Sequence, residues 1–115
     1  MSRAPTTSDV FNAIAEPRRR EIIALLASGN SRSVGELVRA TRLAQPAVSK
    51  HLAVLRAVGL VSVQRAGKSR LYALNPAELK TVHDWASQFE KLWASQLDRI
   101  KARAERKAKE RSAKN

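Results

Sequence analysis

The chain has 115 residues, and this length predicts one domain. It contains 22 Lys and Arg against 10 Asp and Glu, which gives a formal net charge of +12. This surplus favours polyanionic partners such as nucleic acid or an anionic membrane surface. Cysteine is absent, which excludes disulfides, thiol redox sensing and thiolate metal sites, and no apolar run approaches the roughly 20 residues of a membrane span.

Two short helices are predicted first. Ser8 or Asp9 can cap the first helix, and Pro17 suits the first turn of the second. Gly29 and Asn30 end the second helix. The apolar residues of the two helices are Val10, Phe11 and Ile14, followed by Ile22, Ile23, Leu25 and Leu26.

A second helix pair follows, joined by a tight turn. Ser33 can cap its first helix, with Glu36 three residues later in capping-box spacing. After the turn at residues 41–44, the next helix begins near Gln45, with Pro46 in its first turn, and ends before Gly59. Val48, Leu52 and Leu55 recur at i, i+4 and i+7 and predict one buried stripe.

The next segment predicts a β-hairpin. Residues 60–65 form one strand, with Val61 and Val63 on one face, and residues 70–74 return. Residues 66–69 make the turn. The sequence therefore predicts a mainly α fold: a winged helix-turn-helix with a two-stranded β-wing and a long C-terminal helix.

The last helix is predicted to be long. Asn75 can cap it, with Pro76 at its first position. A mostly apolar stripe at spacings of 3–4 residues runs along it. The stripe is marked by Val82, Trp85 or Ala86, Phe89, Leu92 or Trp93, Gln96 and Ile100. We assign residues 1–100 to one winged helix-turn-helix domain. Residues 101–115 lack an apolar face, and we expect a fraying or disordered basic tail. An unspecific nucleic-acid-affinity arm and a solubilising end are the alternatives for its role.

The helix that starts at Gln45 has the pattern of a helix that reads DNA. The major groove, about 12 Å wide, admits a helix that buries one face and presents short polar side chains on the other. Base contacts concentrate in the first turns of such a helix. We therefore predict DNA contacts from Gln45, Ala47, Ser49, Lys50 and His51. For His51, at the margin of the buried stripe, a packing or capping role is the alternative.

The hairpin adds basic residues to this surface. Arg65, Lys68 and Arg70 cluster around a glycine turn, where they can bind phosphates and fix the register on the duplex. We expect Lys68 to enter or border a minor groove. Arg18, Arg19 and Arg20 oppose the dipole of their own helix, which leaves a phosphate-facing cluster and a solvated face as alternatives.

Three stretches carry a resemblance to a known family. Over roughly residues 8–75 the chain resembles the ArsR/SmtB family of bacterial repressors. The resemblance is carried by the runs FNAIAEPRRREIIALLASG, QPAVSKHLAVLRAVGLV and QRAGKSRLYAL. The resemblance implies a homodimer that pairs through its first and last helices and binds a palindromic operator. Gln45, Ser49, Lys50 and His51 match the family's recognition-helix positions, and Lys68 and Arg70 match its wing.

The family's metal and thiol switches do not carry over to this chain. Glu36 and Leu37 are followed by Val38, Arg39 and Ala40, where metal-sensing members carry a Cys pair. The last helix offers His83 and Asp84 but no second His further on, whereas a zinc site needs about four donors. We therefore expect no cofactor and a metal-independent member.

The apolar stripe of the last helix indicates a homodimer. A long striped helix on a small domain has little else to cover it, and aromatic residues dominate interface energetics. We predict an interface formed by Val10, Phe11, Ile14, Val82, Trp85, Phe89, Leu92, Trp93 and Gln96. An intramolecular seam and a small-molecule pocket among the aromatic residues are the alternatives.

The predicted function is that of a dimeric, sequence-specific repressor that regulates its own operon. A nucleoid-type protein that binds nucleic acid without sequence preference is one alternative, and a winged-helix protein-interaction module is the other. We expect no enzymatic activity, because the sequence lacks a Cys nucleophile, a Gly-rich phosphate loop and a His/carboxylate cluster. MSRAPTTSDVF has no apolar signal-peptide core, so we expect a bacterial cytoplasmic, nucleoid-associated protein without membrane contact.

Overall fold

The computed structural model describes the backbone of residues 7–114 and the side chains of residues 10–113. The described residues form two compact units that divide after Val82. Within the described part of the chain, no helix combines the length and the hydropathy needed to cross a membrane.

The first unit begins with four helices and a short strand. Helix α1 spans Thr7–Ala15 and α2 spans Pro17–Leu26, followed by strand β1 at Arg32–Ser33, α3 at Val34–Thr41 and α4 at Gln45–Ala57. Strands β2 (Val61–Ala66) and β3 (Ser69–Leu74) form the wing, and a 3₁₀ turn at Pro76–Glu78 leads to α5 at Leu79–Ser87. The second unit holds the end of α5 and helix α6 at Glu90–Lys114.

The start of α1 differs from the prediction. Ser8 and Asp9 lie inside the helix, which begins at Thr7, so neither is the residue that precedes it. Pro17 does stand at the first position of α2, where its missing N–H costs no helical hydrogen bond. Glu16 caps that helix by accepting a hydrogen bond from the Arg18 backbone N–H at 3.2 Å.

The end of α1 is closed by side chains of α2. Arg19 donates to the backbone oxygens of Ala13 at 2.6 Å and Asn12 at 3.3 Å. Arg20 donates to the backbone oxygens of the next two residues of α1, at 2.7 and 3.1 Å. The last four carbonyls of a helix have no partner within it. The two guanidinium groups thus satisfy all four, and they hold α1 against α2.

The helix-turn-helix forms as predicted from its capping residues. The Ser33 hydroxyl accepts from the Glu36 N–H at 3.2 Å, and the Glu36 carboxylate accepts from the Ser33 N–H at 3.0 Å. The Ser33 backbone N–H, followed by the Ser33 hydroxyl, lowers the pKa of the Glu36 carboxyl from its ordinary value. Arg42 ends α3 in the left-handed region, at φ +62°. This residue reverses the chain between α3 and α4.

The β-sheet has three strands where two were predicted. The strand order is β1-β3-β2, with every pair antiparallel, and Arg32 pairs with Tyr72 while Ser33 pairs with Leu71. A two-residue strand is too short to produce an alternating pattern, so the sequence contains no signal for it. Its pairing ties the start of α3 to the wing.

The core of the first unit lies between the helices and the base of the wing. The predicted stripe of α4 is confirmed, because Val48, Leu52 and Leu55 are all buried. They pack with buried residues from the other elements, which are Val10, Ala13, Ile22, Leu26, Leu37, Leu60 and Val61. This packing leaves the opposite face of α4 in solvent.

The C-terminal part differs from the prediction in two ways. The predicted long helix is interrupted at Gln88 and Phe89, between α5 and α6. The expectation of a frayed or disordered tail is wrong for the described residues, because α6 continues through the tail to Lys114. Ala, Glu, Lys and Arg are strong helix formers, and they extend a helix that Glu90 has already begun.

Candidate nucleic-acid interface

The first turns of α4 present a polar, exposed face. Gln45, Ser49 and Lys50 are exposed, while Ala47 and His51 are half-buried. The stripe that packs into the core fixes the rotation of α4 and therefore determines which side chains face solvent. A short polar face on a helix that projects from the core suits a helix that enters a major groove.

His51 lies between this face and the core. Its Nδ1 is 3.5 Å from Nη1 of Arg19, the residue whose guanidinium also binds the end of α1. A guanidinium can only donate, so Nδ1 must accept in this contact, which leaves Nε2–H as the donor. This geometry favours a packing role for the Nδ1 side of the ring, and at most Nε2 is available to DNA.

The wing carries three cations at its tip. Arg65 and Arg70 are directly opposite each other in the β2–β3 register, and Lys68 lies in the two-residue turn between the strands. Gly67 has φ +63° and Lys68 does not have a positive φ, a combination that is typical of a type II′ hairpin turn. Like charges that face each other across a ladder are destabilising. A bound anion between the two guanidinium groups would relieve this repulsion.

An open cleft of about 560 Å³ separates α4 from the wing, which is room enough for a phosphate group. Ser49 and Arg56 line it from α4, and Arg70 and Tyr72 line it from β3. The sequence-based prediction missed Arg56 and Tyr72. The spacing of Ser49, Ala53 and Arg56, at i, i+4 and i+7, would have placed Arg56 on the reading face.

The charge of this region has one sign. Residues 37–77 contain seven Lys or Arg and no Asp or Glu. Four of the seven are Lys50, Arg56, Lys68 and Arg70, which lie on the exposed face of α4, in the cleft and at the tip of the wing. This segment therefore contributes only positive charge to the surface that it forms, and a basic surface attracts phosphates over many ångströms.

The three arginines at the start of α2 have partners within the first unit. Arg19 and Arg20 bind the carbonyls of α1, and Arg18 pairs with Glu21 at 3.0 Å. Each guanidinium therefore has a partner within its own unit. These contacts give the residues a role in stabilising the fold, and the phosphate-facing alternative for this cluster stays a prediction.

The predicted dimer residues of the first unit have different exposures. Val10 is only 5% exposed and belongs to the core. Its prediction as an interface residue is wrong, because the side chain has almost no surface that a partner could contact. Phe11, Ile14 and Val82 are half-buried. Ile14 also lines a shallow apolar groove of about 220 Å³ together with Ile23 and Leu79.

The predicted dimer residues of the second unit are mostly exposed. Trp85, Leu92 and Trp93 are 55%, 64% and 49% exposed, Gln96 is exposed, and Phe89 is half-buried. The Phe89 ring lies 5.4 Å from that of Trp85 and 6.4 Å from that of Trp93. Soluble chains rarely leave such a contiguous apolar surface uncovered, so this stripe suits an interface.

Possible metal ligands are few. Among the residues that the structure describes, no three His, Cys, Asp or Glu side chains come together in a group that could hold a metal ion. His83 Nε2 instead lies 3.3 Å from the hydroxyl of Ser87, one turn later in α5.

The chain is similar to known regulators. The family described as "Bacterial regulatory protein, arsR family" matches residues 16–63. The transcriptional repressor SdpR of Bacillus subtilis is 32% identical over 82 residues, which are 71% of this chain and 90% of that protein. The transcriptional activator HlyU of Vibrio cholerae is 38% identical over 73 residues, which are 64% of this chain and 67% of that protein.

Solved structures agree with this similarity. An ArsR-like transcriptional regulator from Rhodococcus sp. RHA1 has a TM-score of 0.64 at 28% identity, over 83% of this chain and 89% of that chain. The resemblance noted in the sequence is thereby confirmed. The chain belongs to the ArsR/SmtB family of winged helix-turn-helix, DNA-binding transcriptional regulators.

Proposed function

We propose that the protein is a homodimeric repressor that recognises a palindromic operator through α4 and the wing. The observation that carries this proposal is the exposed polar face of Gln45, Ser49 and Lys50. This face belongs to the segment 37–77, which has seven Lys or Arg and no Asp or Glu. Helix α4 enters the major groove and reads base edges. Gln45 can pair with adenine, and Lys50 can bind guanine or a phosphate.

The cleft between α4 and the wing is where the DNA backbone passes. Arg56 and Arg70 line it from opposite sides, with Ser49 as a further donor. Phosphate contacts of this kind fix the register of the protein on the duplex without reading its sequence. Lys68, at the tip of the wing, borders the adjacent minor groove.

Two copies of the chain place two α4 helices on the duplex. In a symmetric dimer these helices enter successive major grooves, about 34–36 Å apart, so the operator repeats its half-site with two-fold symmetry. Binding at a promoter blocks polymerase, and the protein's own operon is the proposed target. A relative named a repressor supports this direction of regulation.

The release of DNA by this protein involves neither a metal nor a thiol switch. The chain has no cysteine, and the described residues bring together no metal-ligand group. The protein works in the bacterial cytoplasm at the nucleoid, as a regulator without catalytic activity.

The recognition helix is tested with Ser49→Ala and Lys50→Ala. We expect either change to weaken operator binding by about tenfold, since one good base contact contributes about 1–3 kcal/mol of discrimination. Genome-wide footprinting identifies the operator. Fluorescence anisotropy at physiological salt then compares that duplex with a shuffled duplex of the same composition.

Matched controls exist on α6, where Ser95 and Lys91 are exposed. Ser95→Ala and Lys91→Ala repeat the same chemical changes outside α4, and they should leave operator affinity unchanged. Wild-type affinity in both α4 variants would refute this orientation of α4. Equal wild-type affinity for operator and shuffled duplex would favour a nucleoid-type protein, and a dimer that binds neither duplex would favour a protein-interaction module.

The wing is tested with Lys68→Ala. We expect affinity to fall by a similar factor for operator and shuffled DNA, because a phosphate contact carries no sequence information. The slope of log K against log salt should decrease in magnitude by about 1. Lys91→Ala, which removes the same charge elsewhere, should keep the wild-type slope. An unchanged slope in Lys68→Ala would remove Lys68 from the phosphate contacts.

A further inference from the structure

One face of α6 changes its chemistry along the helix. At about 100° per residue, Trp93 and Ile100 share one side of α6, and Ile100 is 62% exposed. The same side continues after Ile100 with Arg103, Lys107 and Arg111, which we call the basic row. The row is helical and exposed throughout, and it extends over about 12 Å of helix axis.

The basic row is not neutralised within its own helix. Among the described side chains of α6, no carboxylate lies within ion-pair distance of Arg103, Lys107 or Arg111. Like charges at i and i+4 destabilise a helix by a few tenths of a kcal/mol for each pair, and the row contains two such pairs. Glu105 lies on the opposite side of the helix, and Glu110 flanks the row.

The chemistry of the row selects its partner. If the basic row of one copy packed against α6 of a second copy, it would meet either the same cations or apolar side chains, and both contacts are unfavourable. An interface between two copies would therefore end near Ile100. A membrane surface needs an apolar face beneath the cations, and residues 101–113 offer only alanines there. A polyanion requires neither a seam nor an apolar face, because it binds by releasing counterions.

We infer that the basic row is a second DNA-binding site, which holds the phosphate backbone of duplex DNA without reading its sequence. It adds to the recognition by α4 and the wing, and the row belongs to a different compact unit. The site supplies sequence-independent affinity, and bound phosphates relieve the repulsion along the row.

The test compares two triple variants of the full chain. The row variant is Arg103→Gln, Lys107→Gln and Arg111→Gln. The control variant is Lys91→Gln, Lys101→Gln and Lys109→Gln, which removes the same charge from the other sides of α6. Glutamine is a good helix former, so both variants should keep their helicity. Circular dichroism and sedimentation check helix content and oligomeric state.

The readout is the salt dependence of binding to a shuffled 20-base-pair duplex. Each lost phosphate contact lowers the magnitude of the slope of log K against log salt by about 0.9. We expect a decrease of about 2 to 3 in the row variant and little change in the control. Equal slopes in the two variants would overturn the proposal, because total charge and not the row would then carry the affinity.

Two further measurements distinguish the basic row from a membrane-binding site and from the α4 site. Phosphatidylserine vesicles should bind the row variant and the control variant equally, because each lacks three cations. A loss of vesicle binding in the row variant that exceeds the loss in the control variant would overturn the assignment to DNA. Lys50→Ala should reduce operator preference by about tenfold and keep the row-dependent slope. If the slope depends on the row and the wild type shows no operator preference, the proposed repressor function fails and the second site stands.

Discussion

Three consecutive arginines show how far the role of a residue depends on its partners. Arg18, Arg19 and Arg20 are chemically alike in the sequence, yet Arg18 makes an exposed pair with Glu21 while the other two bind the end of α1. Exposed ion pairs contribute little to stability, because water and salt screen them. A charged hydrogen bond to an otherwise unsatisfied carbonyl contributes more.

Arg19→Ala should lower the free energy of unfolding by about 2 kcal/mol, since it removes donors to two backbone carbonyls and a contact with His51. Arg18→Ala is the matched control and should stay within about 0.5 kcal/mol of the wild type. Urea denaturation followed by tryptophan fluorescence and circular dichroism measures both. Equal stability of the two variants would refute the structural role of Arg19.

At the scale of an element, α3 depends on its capping box. Ser33 and Glu36 exchange hydrogen bonds at 3.2 and 3.0 Å, and the pKa of the Glu36 carboxyl is lowered chiefly by the Ser33 backbone N–H. A carboxyl whose pKa is lower in the folded state stabilises the fold above its unfolded pKa. This contribution disappears as the pH falls through the folded pKa.

Glu36→Gln keeps a side chain that can accept the capping hydrogen bond, and it removes the titratable carboxyl group. We expect the wild type to be the more stable protein at pH 7 and to lose this advantage as the pH falls below the ordinary pKa of a glutamate, about 4.3. Thermal unfolding at a series of pH values measures the difference. Ser33→Ala should cost about 1 kcal/mol at pH 7. An advantage that stays constant down to pH 3 would contradict the role of the ionised carboxylate.

At the scale of the whole molecule, the apolar stripe of α6 is the surface that we propose for the dimer interface. Leu92, Trp93, Leu97 and Ile100 are each about half to two-thirds exposed. Burying such side chains contributes roughly 1.5–3 kcal/mol each. In this proposal the basic row beyond Ile100 limits the interface to the first three turns of α6.

Trp93→Glu should weaken the dimer by at least tenfold, since it removes a large apolar side chain and places a charge in the seam. Ser95→Glu introduces the same charge on another side of α6 and should leave the dimer intact. Sedimentation equilibrium over a concentration series gives both dissociation constants. A Trp93→Glu variant that dimerises as tightly as the wild type would place the interface elsewhere.

The fold was largely predictable because its signals are local. Three of these signals involve residues within a few positions of each other. They are the capping box of Ser33 and Glu36, the position of Pro17 and the buried stripe of α4. Strand β1 was missed because its two residues form a strand only through pairing with Tyr72 and Leu71. The break between α5 and α6 carries no Gly or Pro, so no sequence signal marks it.

The candidate site was predictable only in part. Lys50 and Lys68 could be assigned from the periodicity of a helix and the position of a turn. Helical spacing could also have placed Arg56 on the reading face, but not opposite Tyr72 of the wing. The contact between His51 and Arg19 and the burial of Val10 depend on elements that are distant in the sequence. Local spacing cannot report which residues of two different elements meet.

The sequence by itself determined the helix-turn-helix, the hairpin, the basic charge and the apolar stripe, because helix caps, periodicity and composition act over one or two turns. Only the tertiary structure decided that Arg19 and Arg20 close α1, that Arg65 faces Arg70, and that Val10 belongs to the core. These outcomes depend on the packing of several elements together. A side chain's partners are set by the space and the unsatisfied groups that this packing leaves around it.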